Sequence, residues 1–244
     1  MSRTLNEIMD DLSYGPLSNL SIGSSGDGSI PIAKQTQIVH LINRGLSKLH
    51  SRFNIYQREL YIRFQEGMNL YPLTVEAGES YVDPDPGSPS TKYIVDTVDN
   101  PFSADVIRIL SVWRKSVEDP DTLVEIPIND SEADESAYTP ASDIIQLPDV
   151  TSGEFYQIMY QASHPKLVAG FNSQIVYLPD NLYEALEYYV AYKVFSGMNG
   201  EEHRIKAADY YSEYQGVIQK SVDLDLVREV PVVTNTKLEL RGFK

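Results

Sequence analysis

The spacing of apolar residues changes twice along the chain, and this change limits the architectures that the sequence can adopt. Apolar residues recur at helical spacing over 32–53, 182–195 and 201–221. Between the first and second of these segments, short stretches such as "ELYIRFQ" and "GEFYQIMYQ" alternate instead, with proline, glycine and aspartate between them. Short strands at this spacing are typical of a small antiparallel sandwich or barrel. The predicted order is therefore a helix, a β-rich insertion and a helical hairpin.

The first helical segment has one apolar stripe and one basic stripe. Its apolar positions are Ile38, Leu41, Ile42, Leu46, Leu49 and Phe53. This spacing predicts a single buried face. Arg44, Lys48 and Arg52 recur every four residues on another face, which we interpret as a solvated surface or an ion-pairing surface for an acidic neighbour.

The last two helical segments are predicted to form an antiparallel pair, because only the short break "GMNG" separates them. The first has an apolar stripe consisting of Leu182, Ala185, Leu186, Tyr189, Val190 and Val194. For the second, the predicted inward positions are Ile205, Ala208, Tyr211, Val217 and Ile218. Both helices are rich in tyrosine, which buries a ring while keeping a hydroxyl for water or a partner.

The predicted fold class is α+β, with an antiparallel helical bundle, an inserted small antiparallel β sandwich or barrel, and extended N- and C-terminal arms. The predicted boundaries place the N-terminal arm or linker at 1–30, the bundle at 31–58 and 179–221, the insertion at 59–178 and the C-terminal arm at 222–244. A chain of 244 residues is long enough to bury a core in such an arrangement.

The two arms differ in composition. The N-terminal arm contains a short predicted helix at 5–12 and then the Gly/Ser-rich run "GPLSNLSIGSSGDGS", which reads as a linker. The C-terminal arm ends in "VREVPVVTNTKLELRGFK", which is β-branched and has no turn that would fold it back. Such a segment either adds a strand to a partner or forms an edge strand on the chain's own β module. Its composition favours the partner.

The sequence shows no constellation for catalysis. There is no cysteine, and the four histidines do not follow a zinc-binding spacing. The acidic run at 118–135, including Glu125, Asp130 and Asp134, reads as a solvated loop, although it is where a hydrolase would find carboxylates. A net charge of −15 argues against a broad duplex-binding surface. We therefore predict a protein that is not an enzyme and has no catalytic, metal or cofactor-binding residues.

Several stretches along the chain resemble one protein family. They are "LINRGLSKLHSRFNIYQRELYIRFQEGMNLYPL", "YIVD", "FSADVIRILSVW", "EIPIND" and "IVYLPDNLYEALEYYVAYKVF". Together they are similar to the head-to-tail adaptor (connector) proteins of tailed bacteriophages, over residues 35–221. The segment "LPDNLYEALEYYVAYKV" is the most specific part of the resemblance.

The resemblance implies a structural virion protein in the neck or tail, assembled in the host cytoplasm. Such subunits form a ring, commonly twelve-fold, beneath the portal protein. The ring extends the channel through which DNA passes without sequence-specific binding, and it offers a platform to a downstream tail protein such as a nozzle or fibre. The C-terminal arm would grip the portal. Its portal-binding residues would be Val230, Val232, Val233, Leu238, Leu240 and Phe243.

Two other functions stay open. Another neck or tail component, such as a stopper or terminator, would form a ring without affinity for the portal. A monomeric module binding protein or carbohydrate would show clustered tryptophan and tyrosine on a β face. The single tryptophan, Trp113, lies in an apolar strand-like segment, which predicts a core position.

Overall fold

The chain forms two compact units. The computed structural model describes residues 3–18, 20, 30–83, 91–115, 122–148, 155–171 and 173–227. The helical unit comprises Met1–Ile55 and Lys166–Lys244, and the β unit comprises Tyr56–Pro165. The α+β class is confirmed, because the helices lie in the first unit and antiparallel sheets dominate the second.

In chain order, the elements are β1 (Arg3–Thr4), α1 (Leu5–Tyr14), α2 (Ile32–Arg52), β2 (Gln57–Arg63), β3 (Leu70–Pro72), a 3-10 turn (Val75–Ala77), β4 (Ile94–Val95), β5 (Val106–Lys115), β6 (Leu123–Ile126), β7 (Tyr138–Ala141), β8 (Ile144–Gln146), β9 (Phe155–Ala162), β10 (Ile175–Val176), α3 (Asp180–Ser196) and α4 (Glu201–Asp223).

The helical unit is built around α3, which packs against both α2 and α4. The predicted apolar stripes of α2 and α3 are confirmed, since their residues are buried in one core, with Leu41 partly buried at its edge. Helices α2 and α3 approach closely at Gly45. A Cβ atom there would lie 2.5 Å from Leu186 Cδ1 and 2.9 Å from Tyr189 Cδ1. Glycine is therefore required at this crossing.

The N-terminal segment differs from the predicted arm. Helix α1 confirms the short predicted helix and begins with a capping box between Thr4 and Glu7. Its residues Leu5, Ile8 and Leu12 are fully buried in the core of the helical unit. Residues 3–18 thus belong to that unit, because an amphipathic helix gains more by burying its apolar face than by staying solvated. The linker prediction for 19 and 21–29 lies outside the described residues.

The boundaries of the β insertion also differ from the predicted ones. The β unit ends at Pro165, whereas the sequence suggested 178. Strand β10 pairs with β1, with Arg3 opposite Val176, and Val176 and Leu178 are buried in the helical core. The segment "IVYLP" alternates as the strands before it do, so the sequence assigned it to the β insertion. In the structure, its partner strand β1 comes from the N-terminal end of the chain.

The β unit contains two antiparallel sheets that share one core. The larger has the strand order β4-β2-β9-β5-β6 and the smaller β3-β8-β7, and the described strands close no barrel. Residues at alternate positions of β2, β9 and β5 point into this core, among them Leu60, Ile62, Val112, Ile158 and Tyr160. The opposite positions form the outer face of the larger sheet.

Helix α4 ends in a Schellman motif. The amide of Leu226 donates to the carbonyl of Ser221 at 3.0 Å, and the amide of Asp225 donates to the carbonyl of Val222 at 2.9 Å. Asp225 has φ of 51°, the left-handed conformation that this motif requires. The chain then turns back, and Val227 joins the core of the helical unit. The helix thus extends slightly beyond the predicted start of the C-terminal arm at 222.

Candidate functional site

The predicted portal-binding residues all lie outside the described residues, which end at Val227 on the C-terminal side. They are Val230, Val232, Val233, Leu238, Leu240 and Phe243. The remaining candidate sites are therefore surfaces of the two units.

Three of the titratable residues singled out in the sequence have separate local contacts. His50 contacts the Tyr177 carbonyl through Nε2 at 3.0 Å, and His203 lies beside the Phe195 ring. Asp130 accepts from the Glu132 amide within its own loop. Among the residues that the structure describes, no group of three or more His, Asp or Glu side chains is placed to hold a metal. The described helices include none that is long and apolar enough to cross a membrane.

Aromatic rings join α3 to α4 along the length of their contact. The centroid distances are 5.6 Å for Tyr189–Tyr214, 5.1 Å for Tyr192–Tyr211 and 5.4 Å for Phe195–Tyr210. As the residue number rises on α3 it falls on α4, so the two helices are antiparallel. Such ring pairs stabilise the contact beyond simple area burial.

Helix α4 buries little of its own surface. Its buried residues are Ala207, Tyr214, Ile218 and Ser221. Three of the five predicted inward positions are instead exposed: Ile205 at 57%, Tyr211 at 45%, and Ala208. That part of the prediction is wrong. The helix contacts α3 along a narrow strip. Ile205 and Ala208 lie outside that strip, whereas the Tyr211 ring still contacts Tyr192 of α3 from its edge.

The outward face of α4 is narrow and smooth. We define this face by Ile205, Ala208, Ser212 and Gly216, which share one side of the helix and are all exposed. A Cβ atom at Gly216 would meet no described residue within 4 Å, so no neighbour in the described part of the chain requires glycine there. A glycine in a helix interior costs about 1 kcal/mol relative to alanine. The i, i+4, i+8 series of Ala, Ser and Gly was the sequence signal that could have revealed this face.

Charges of opposite sign lie on α4 and α2. Asp209 and Glu213 are exposed beside the outward face of α4 and form no ion pair within the described part of the chain. The basic stripe of α2 is also exposed, and α2 contains no acidic residue. Lys48 of this stripe lies 5.4 Å from the Tyr189 ring centroid. The helical unit thus presents one acidic and one basic strip.

A carboxylate cluster holds the N-terminal strand against α3. Arg3 Nη1 lies 2.6 Å from Asp11 Oδ2 and 3.7 Å from Glu187 Oε1. Burial, and then the neighbouring charge of Asp11, raise the pKa of Glu187, Arg3 opposes both effects, and the resulting pKa is about 7. One guanidinium therefore serves two carboxylates, and Glu187 changes charge near neutral pH.

The outer face of the larger sheet brings aromatic and polar side chains into register. Tyr61 on β2 lies opposite Gln157 on β9, Gln157 opposite Trp113 on β5, and Trp113 opposite Glu125 on β6. Phe155 occupies the next outward position of β9. Trp113 is half-buried on this face rather than in the core, so its predicted core position is wrong. Alternation along β5 was compatible with either face.

No protein-family model matches the chain, and no curated protein shows significant sequence similarity to it.

Proposed function

We propose that this protein is a structural head-to-tail adaptor of a tailed phage. Copies form a ring, twelve-fold as in the family it resembles, under the portal protein in the neck of the virion. The ring extends the DNA channel and supports a downstream nozzle or fibre protein. In this proposal the helices form a bundle that makes the ring, the two sheets form an inserted sandwich, and residues 228–244 grip the portal.

The outward face of α4 is the observation that carries the proposal. An exposed interior glycine, with small side chains one and two turns before it, gives a helix surface that another backbone can approach closely. No described residue packs on this face at Gly216, since none lies within 4 Å of its Cβ position. A second copy of the chain supplies the missing neighbour.

Charge complementarity supports a head-to-tail contact between copies. The acidic strip of α4, with Asp209 and Glu213, is opposite in sign to the basic stripe of α2 that contains Arg44 and Lys48. Contacts between two different patches of the same chain generate a ring when the rotation closes. Complementary charges also favour the correct pairing over alternatives.

The test is native mass spectrometry of the full-length chain with the portal protein of the same phage. We expect a complex with about one copy per portal subunit, the ratio of a ring matched to its portal. A Gly216→Arg variant should fold at least as stably, because arginine is the better helix former, yet fail to form the ring. Gly216→Ala is the matched control and should still assemble.

A second variant tests the C-terminal segment. A chain ending at Val227 retains the Schellman motif and the buried Val227, so its folded units are preserved. We expect this variant to lose the portal complex. If the full-length chain gives a ring but never a portal complex, the protein is instead a stopper or terminator. If it gives neither, the adaptor proposal fails.

A further inference from the structure

The outer face of the larger sheet has the features of a ligand site that the adaptor proposal does not use. Tyr61 is 41% exposed, and Phe155, Gln157 and Trp113 are half-buried. Tyr61 and Trp113 lie on strands separated by β9, so their backbones are about 10 Å apart, twice the strand spacing. The Gln157 amide lies between the two rings in the same row.

A shallow cavity adjoins this row. Its volume is about 160 Å³, and it is lined by Tyr61, Lys115, Leu123, Phe155 and Gln157. The walls are two aromatic rings and one aliphatic side chain, and an amide and an ammonium supply hydrogen bonds. The space suits one ring-sized group that has both an apolar face and a polar edge.

The charges around the face favour a neutral ligand. Arg63 is paired with Glu79 at 2.9 Å and also lies 5.5 Å from the Phe155 ring centroid. Glu59 and Glu125 add two negative charges to this face and Lys115 adds one positive charge, and the Tyr61 hydroxyl donates to Glu59 Oε2 at 3.1 Å. Phosphate chains need clustered unpaired cations, and this face of a chain with net charge −15 does not offer them.

The arrangement of polar groups favours a saccharide over a protein partner. Protein interfaces place a continuous apolar patch at the centre and polar groups at the rim. Here a glutamine amide occupies the centre and rings stand on either side. A pyranose matches this pattern, because its C–H face packs on an aromatic ring and its hydroxyl edge hydrogen-bonds to amide and carboxylate groups.

We propose that the outer face, defined by Tyr61, Phe155, Gln157, Trp113 and Glu125, binds a neutral oligosaccharide. Successive sugar rings pack on Tyr61 and Trp113, and Gln157 and Glu125 hydrogen-bond to their hydroxyl groups. The cavity beside Phe155 accepts one further ring or substituent. This inference rests on the β unit alone and does not depend on the adaptor proposal.

The single tryptophan of the chain provides the readout, since Trp113 lies on the face itself. The full-length protein is titrated with cellopentaose, maltopentaose and chitopentaose while the Trp113 emission is recorded. We expect a saturable change with at least one of them, unaffected by salt because the ligand is uncharged. Tyr61→Ala should weaken binding about tenfold, the loss of one stacking ring, and Tyr61→Phe should restore it.

Tyr138→Ala is the matched control, because Tyr138 is exposed to 37% but lies on the smaller sheet. It should bind as the native chain does. The proposal is overturned if none of the three sugars changes the emission at about 10 mM, a level that would detect millimolar affinity. It is equally overturned if Tyr61→Ala binds the sugar with unchanged affinity. It is also overturned if the Trp113 emission changes with protein concentration rather than with sugar, which would identify the face as a contact between copies of the chain.

Discussion

The two units of the molecule use buried tyrosine differently. In the β unit, hydroxyl groups fix the chain: Tyr71 donates to the Met68 carbonyl at 2.7 Å, Tyr156 to the Pro148 carbonyl at 3.1 Å and Tyr160 to Asp105 Oδ1 at 3.0 Å. In the helical unit, Tyr189 packs its ring on Tyr214, and its buried hydroxyl has no hydrogen-bond partner in the described residues. Tyr183 is the exception in the helical unit, because its hydroxyl donates to the Val176 carbonyl at 2.9 Å and accepts from the Arg3 amide at 3.0 Å. The contrast is therefore between the hydrogen-bonded tyrosines of the β unit and the ring-packed tyrosines between α3 and α4.

A tyrosine in the sequence therefore predicts a buried ring, but it does not predict whether hydrogen bonding or ring packing stabilises that ring. It can be tested unit by unit. Trp113 fluorescence follows the β unit, because the chain has no other tryptophan, and helical circular dichroism follows the helical unit.

The largest expected effect is at the α2–α3 crossing. Gly45→Val should lower the free energy of unfolding of the helical unit by about 3 kcal/mol, because the new side chain overlaps Leu186 and Tyr189. Urea denaturation followed by circular dichroism measures this. Gly216→Ala is the control and should stabilise slightly. An unchanged urea midpoint for Gly45→Val would mean that close packing at the α2–α3 crossing does not determine the stability of the helical unit.

The next effect concerns a polar clamp of the β unit. Asp96 accepts hydrogen bonds from the Ser80 amide at 2.7 Å, the Ser80 hydroxyl at 2.6 Å and the Phe102 amide at 2.8 Å. Asp96→Ala leaves these donors unpaired and should destabilise the β unit by about 2 kcal/mol, seen as an earlier Trp113 transition in urea. Asp99→Ala, at an exposed carboxylate nearby, should have little effect.

Asp96 also gives the β unit a pH dependence. Burial raises its pKa, but the hydrogen bonds from Ser80 and Phe102 outweigh this and hold the pKa below its usual value. Its contribution is therefore present above the pKa of the unfolded chain and is lost as pH falls through the lower folded value. The urea midpoint of the Trp113 transition should therefore fall between pH 5 and pH 2 by more in the native chain than in Asp96→Ala. Equal decreases in the two proteins would contradict this.

A paired hydroxyl deletion compares the two units directly. Tyr160→Phe should cost about 1.5 kcal/mol, because Asp105 loses one of its partners in a buried site. Tyr189→Phe should be neutral, since its hydroxyl has no hydrogen-bond partner among the described residues. Both are measured by urea denaturation with the probe of the corresponding unit. Equal losses in the two variants would remove the distinction between polar clamps and ring packing.

The smallest expected effect has the opposite pH sign to that of Asp96. The folded pKa of Glu187 is raised to about 7 from an ordinary value of 4.5. Its stabilising contribution is therefore complete below the unfolded pKa and is lost as pH rises through about 7. The helical unit should lose on the order of 1 kcal/mol between pH 5 and pH 8, allowing for solvent screening. Glu187→Gln should flatten this profile, and a profile that it leaves unchanged would refute the assignment.

Part of this architecture could be predicted from the sequence. The stripes of α2 and α3 are each long and interrupted by few polar residues, so helical spacing identified their buried faces correctly. Helix α4 could not be predicted in this way, because it has apolar residues on two sides and only contact with α3 decides between Tyr214 and Ile205. The pairing of β10 with β1 links distant parts of the chain, which local spacing does not encode.

The candidate surfaces were less predictable than the cores. Trp113 occupies an alternating strand in which either face could be the buried one, and only the register with Gln157 placed it outward. The spacing of Ala208, Ser212 and Gly216 could have indicated the outward face of α4, but only the structure shows that Gly216 has no close neighbour among the described residues. The adaptor function and the portal-binding role of residues 228–244 stay predictions.

The Schellman motif at the end of α4 determines how the chain carries mechanical load. Val227 is anchored in the helical core, and the turn at Asp225 is closed by hydrogen bonds to Ser221 and Val222. A pull on the chain beyond Val227 must first extract this side chain and break those bonds before it reaches the body of α4. Under tension, the C-terminal end of α4 therefore unfolds first, while the packing of α3 on α4 stays intact.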